Sequence, residues 1–435
     1  MKARHRLPLL ALLAAVPLFA DPGTVDRDIL SRPLPGLDET EMASFLRGRS
    51  LFRQSWVIAP ASDREFDGLG PLYNRLACIS CHPKNGRGGA PEGPAQRMQT
   101  MLVRLSVKAP GGARPHPVYG DQLNEEGIPG VPGEGRAEIR WQTRHEKLAD
   151  GTLVELRSPL VRFTELAYGP LGPVMTSLRV GPPVAGLGLL DAVPDSTLLA
   201  LAAAAKPDGV RGRVNRINSP QGPVGRFGLK ANAHDLEFQI AGAFHGDMSI
   251  TSPRFPEENC TPAQRACRQA PDGGRPELSM QQLSDITFYV AHLAPPPRPD
   301  NRNPAVDRGA AHFSAFGCQL CHLPSLRTGP GASRHLAERE IAPYTDLLLH
   351  DMGAELADHR PDHQATGREW RTAPLWGIGR LAAINEKVGY LHDGRARNFE
   401  EAILWHGGEA LAARQRYAAA DRQTRDELIA FLNAL

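Results

Sequence analysis

The chain has 435 residues, with 50 Lys and Arg against 48 Asp and Glu and a formal charge of +2. That balance excludes a nucleic-acid surface built on bulk charge, and the length admits two or three domains. With 43 Gly and 39 Pro, the polypeptide is rich in loops.

At the start, Lys2, Arg4 and Arg6 precede an apolar run from Leu7 to Phe19, and Ala20 stands before Asp21-Pro22. This pattern predicts a signal peptide over 1–20 and export to the periplasm, because thirteen apolar residues are too few to span a bilayer. Cleavage would leave one net negative charge. No Cys follows the run to suggest a lipid anchor, and no later segment reads as a membrane span.

The run MASFLRGRSLF places Gly48 and Phe52 one helical turn apart, predicting an entry helix with an apolar face. Cys78-Ile79-Ser80-Cys81-His82 follows, a complete C-x-x-C-H haem-attachment motif. Two thiols at this spacing add to the vinyl groups of one haem, and the adjoining imidazole takes the iron. About 200 residues then separate His82 from the next amphipathic helix. Within them Ala137 to His145 alternates polar and apolar residues, Ala149-Asp150-Gly151 offers a turn, and Thr152 to Leu166 continues extended. That reads as a β-hairpin with a structural role. Gly169 to Pro194 has no readable fold.

Further on, His245-Gly246-Asp247-Met248 sets an imidazole and a thioether beside an Asp. Cys260 and Cys267 enclose a polar loop and are expected to form a disulfide in an oxidising compartment, rather than a redox-active dithiol. Leu283 to Leu293 reads as an exit helix, and the Pro-rich APPPRPDNRNP after it as a linker. A second frame repeats the first: Gly309 and Phe313 in an entry helix, then Cys318-Gln319-Leu320-Cys321-His322. His350-Asp351-Met352-Gly353 again puts an imidazole and a thioether beside an Asp. A helix starting near Phe399 is flanked by His392 and His406, and Asp426 to Leu435 reads as the last exit helix.

These readings predict a mainly α fold with long loops. It would comprise two cytochrome c-like haem units at 21–297 and 298–435, the first carrying a large, partly β insertion. The cofactors expected are two covalently bound haem c groups, held by Cys78, Cys81, His82, Cys318, Cys321 and His322. Met352 and Met248 are the leading sixth ligands, with core filling or ligation by His350 or His245 as alternatives. Met175, Met98, Met101, His392 and His406 rank below them. Peroxide chemistry would need a general acid, for which Asp247 and Glu92 are candidates.

Taken together, the motifs resemble the di-haem oxidoreductase family, a group also labelled thiol oxidoreductases. They include DGLGPLYN (67–74), PPVAGLGLLDAVP (182–194), GRFGLKAN (225–232), AFHGDMSITSP (243–253), YTDLLLHDMG (344–353), GREWRTAPLWGIG (367–379) and LHDGRARNFEEAILWHGGEA (391–410). A more distant similarity, confined to the C-terminal part, is to bacterial di-haem cytochrome c peroxidases. It implies an electron-transfer haem at His322 passing electrons to a reactive haem at His82. Two features depart from those peroxidases: Leu391 stands where they carry a ligating Met, and no His closely follows His82. Thr372-Ala373-Pro374 matches a segment that helps bind calcium in them, so calcium is a further cofactor the resemblance admits. The function expected is therefore a periplasmic di-haem c-type oxidoreductase of peroxidase-like type. It would work with a small redox protein as donor or acceptor, without nucleic acid or a membrane span. The alternative is a non-catalytic di-haem electron-transfer protein.

Overall fold

The structure, a computed structural model, describes residues 26–110, 112–299, 303–331 and 333–435. The expected signal peptide (1–20) and part of the Pro-rich linker lie outside them. Two helix pairs organise the chain. Helix α1 (Glu39–Arg53) begins in a capping box, with Asp38 accepting from the Glu41 amide and Glu41 from that of Asp38. It crosses α3 (Met280–Ala291), and between them in sequence lies α2 (Leu236–Met248). In the second half α4 (Pro304–Ala315) crosses α6 (Arg422–Asn433), preceded by the short α5 (Phe399–Leu404).

The two crossings match residue for residue. A Cβ on Gly48 would strike the Asp285 carbonyl and Tyr289, and one on Gly309 the Glu427 carbonyl and Phe431. Only glycine permits that approach. Beside each glycine an arginine closes the joint, Arg47 onto Asp285 and Arg308 onto Glu427, both at 2.8 Å. One turn further, Phe52 and Phe313 face His82 and His322, with ring centroids 6.2 and 6.5 Å apart.

The long insertion is where the mainly α expectation fails. The described residues are 30% helix and 18% strand, the latter spread over several small sheets. Strand β1 (Met101–Ala109) alternates buried and part-exposed residues over most of its length and pairs antiparallel with β4 (Met175–Val180). Strands β2 (Arg136–Lys147) and β3 (Leu153–Thr164) form the anticipated hairpin, registered from Arg136 opposite Thr164 to Lys147 opposite Leu153. Met101, Val103, Leu105, Ile139 and Val180 build a core of their own. Two cytochrome c-like units are likewise not shown. Residues from Leu30 to Leu435 share one continuous hydrophobic core, and what the halves repeat is the helix pair and its motif. A last ladder joins β5 (Leu349–Asp351) to β6 (Glu369–Arg371), with His350 opposite Trp370. Among the described residues no helix is long and apolar enough to cross a membrane.

Candidate haem sites

Cys78–Cys81 forms a single helical turn, which brings its two thiols to one side, and Cys318–Leu320 forms a tighter 3₁₀ turn. None of these four cysteines takes part in a disulfide. Burial, reinforced by the charge of Asp247, pushes the Cys78 and Cys81 thiols up to about 12, and burial does the same at Cys318. Such thiols are not thiolates at neutral pH, which disfavours dithiol redox chemistry.

The adjoining imidazoles are set for metal binding. Strand β4 is followed by Gly181, whose missing side chain lets the backbone meet the Cys81 carbonyl. The next residue, Pro182, accepts from His82 Nδ1 at 2.6 Å, and Tyr344 O accepts from His322 Nδ1 at 3.0 Å. A carbonyl can only accept, so Nδ1 carries the proton and the Nε2 lone pair is left for a metal. Burial pushes both rings toward the neutral form, His322 to about 4. The residues present therefore fit a haem at each motif.

The surroundings of the two motifs differ. Near the first, the backbone of Arg104 on β1 pairs with that of Gln122 in a β-bridge, and the Gln122 side chain donates from Nε2 to Asp247 Oδ1 at 2.8 Å. The Asp247 carbonyl accepts from the Asn74 amide at 2.8 Å, just ahead of the motif, and its carboxyl acts electrostatically on Cys78, Cys81 and His82. Burial raises the Asp247 pKa against the opposing pull of Gln122, Arg104 and His82. Gln122 Oε1 and Arg104 Nε are buried and make no hydrogen bond among the described residues. Asp247 and Arg104 are part-buried, and Gln122 is buried.

Near the second motif the acids are already engaged. Asp346 Oδ2 lies 3.0 Å from His350 Nε2, and Glu409 Oε2 lies 2.7 Å from His350 Nδ1. Burial opposes charge on this ring, but Asp346, Cys321 and Glu409 outweigh it and raise its pKa to about 12. An imidazolium with both nitrogens committed is no iron ligand.

The other candidates disperse. Met248 is buried in the main core and Met352 packs part-buried against it. Met98 and Met101 fill the insertion core, and Met175 opens β4 opposite Ser106. His245 Nε2 bonds Glu257 O at 3.1 Å, while His392 stacks on Trp370 at 3.7 Å. Glu92 is exposed and paired with Arg157 at 2.8 Å. Cys260 and Cys267 form a disulfide. At the calcium segment, the Thr372 carbonyl already accepts from Thr345 Oγ1 at 2.6 Å and from Arg371 at 3.1 Å. No cluster of three or more His, Cys, Asp or Glu suited to a bare metal ion occurs among the described residues. Gln122 and Arg104 carried no sequence signal, because only β1 and its neighbouring loop bring them to the motif.

No curated protein matches the chain. The family described as "Di-haem oxidoreductase, putative peroxidase" matches residues 23–435. The chain belongs to this di-haem oxidoreductase family, which implies two haem groups.

Proposed function

We propose that this is a periplasmic di-haem c-type oxidoreductase that reduces peroxide at the first motif. On this reading haem is bound covalently through Cys78 and Cys81 with His82 proximal, and through Cys318 and Cys321 with His322 proximal. A signal peptide occupies 1–20, and a small redox protein delivers electrons by way of the second haem. The carrying observation is the asymmetry. Asp247, Gln122 and Arg104 adjoin one another beside the first motif, with Gln122 Oε1 and Arg104 Nε unpaired among the described residues, whereas the acids beside the second are locked onto His350.

Bound at the first motif, haem would supply the iron at which the O–O bond is polarised and the electrons accepted. The chain's own groups do the rest. On this reading Arg104 Nε and Gln122 Oε1, buried and without a partner among the described residues, would donate to a bound peroxide oxygen and accept from its O–H. Asp247 is placed to give its proton to the departing oxygen. Each turnover takes two electrons and two protons, breaks one O–O bond and releases two waters. The Pro182 carbonyl keeps His82 in the tautomer that presents Nε2.

The test is to mix exported holoprotein with hydrogen peroxide and a reduced small cytochrome. Stoichiometric oxidation, two electrons per peroxide, is expected. No oxidation, with both haems unresponsive to peroxide in every redox state, would leave a plain electron carrier instead.

A further inference from the structure

The segment after α5 is seated on β5. A Cβ on Gly408 would strike the Asp351 carbonyl, and one on Gly407 would crowd that of Met352. Glu409, three residues beyond His406, holds His350 Nδ1 at 2.7 Å, and that same nitrogen lies 3.7 Å from Cys321 Sγ. The chain therefore brings His406 to the second motif.

Its ring is fixed as the proximal rings are. His406 Nδ1 donates to the Ala402 carbonyl at 2.7 Å, and Nε2 makes no hydrogen bond among the described residues. The residue is part-buried.

The first half contains the same construction with a different outcome. The bridge between Tyr390 and Ala396 matches that between Phe227 and Ala233. Asn398 and Asp235 then cap α5 and α2, each accepting from the amide three residues on. The helices lead to Trp405-His406-Gly407 and Phe244-His245-Gly246. Yet His245 follows its cap by ten residues and lies within α2, whereas His406 follows its cap by eight and lies beyond the end of α5, and His245 turns instead to the Glu257 carbonyl, with its ring stacked on Phe255 at 5.2 Å.

We propose that His406 Nε2 is the sixth ligand of the iron held by His322, and that the first iron has no such imidazole. The assignment rests on haem being attached at Cys318 and Cys321. A second imidazole in place of a thioether lowers the reduction potential.

Near-infrared magnetic circular dichroism of ferric holoprotein tests this, alongside a pyridine haemochromogen count. Wild type is expected to show bis-imidazole charge-transfer bands and no thioether band, with Met352→Leu unchanged. His406→Met should introduce the thioether band and shift that haem's potential upward, and His406→Ala should give a high-spin haem that added imidazole returns to low spin. A wild-type thioether band that disappears in Met352→Leu would overturn the assignment, as would a low-spin second haem in His406→Ala. The wild-type spectrum decides even if a variant does not fold. A wild-type count below two haems would instead overturn the attachment on which the ligand depends.

Discussion

At the first motif, Asp247 is the side chain whose removal separates haem binding from chemistry. Asp247→Asn keeps the Gln122 contact in shape but has no acidic proton to give. We expect it to retain two haems while peroxide turnover falls by roughly 10²–10⁴, the usual worth of a positioned general acid. Unchanged turnover at full haem content would remove Asp247 from the mechanism. The two C-x-x-C-H motifs were legible because each puts its two thiols and imidazole within five consecutive positions. Arg104 and Gln122 were not, since they reach Asp247 through tertiary contacts between a strand, a loop and a helix far apart in sequence. His350 illustrates the converse. Beside a Met and an Asp it read as a candidate ligand, and only the folded chain brings the Asp346 and Glu409 carboxylates to its two nitrogens.

The helix pair is the element on which each motif depends. Gly309→Ala pushes a methyl into the Glu427 carbonyl and Phe431, and overpacking of this kind costs about 1–3 kcal/mol. Urea unfolding should show a midpoint lowered accordingly, and an unaltered midpoint would mean the pair can part without loss. Hydrogen bonds from Gln423, Arg308 and His312 hold Glu427 down at about 2. Its contribution is therefore present above the ordinary glutamate range and is lost as pH falls through about 2. The stability gap between wild type and Glu427→Gln should be constant near neutrality and close progressively in acid, and a gap that widens in acid would contradict the sign. Both entry helices were visible as Gly and Phe at one-turn spacing, and the hairpin as alternation. The error lay in weighting: helix signals around the motifs were strong, whereas β1 and β4 lie between Gly- and Pro-rich stretches whose pairing no local pattern announces. Strand content was consequently underestimated.

At the scale of the whole molecule, buried charge joins the halves. Lys230, fully buried, donates to Asp358 at 2.8 Å and to the Arg360 and Thr366 carbonyls at 2.9 and 2.8 Å, with its ammonium 4.4 Å over the Trp370 ring. Arg179 reaches Asp362 at 2.9 Å, and Arg104 and Arg360 share Asp121. Removing one partner of a buried pair strands the other, at a cost of about 3–5 kcal/mol. Lys230→Met should lower stability by that amount in equilibrium unfolding, and a neutral effect would show that the network is dispensable. Two unequal irons in one shared core form the central claim, and cyanide titration of the ferric, fully haem-loaded protein tests it most directly. The account predicts one equivalent bound, at the haem whose proximal ligand is His82. Binding of none, or of two equivalents with equal affinity, would contradict it.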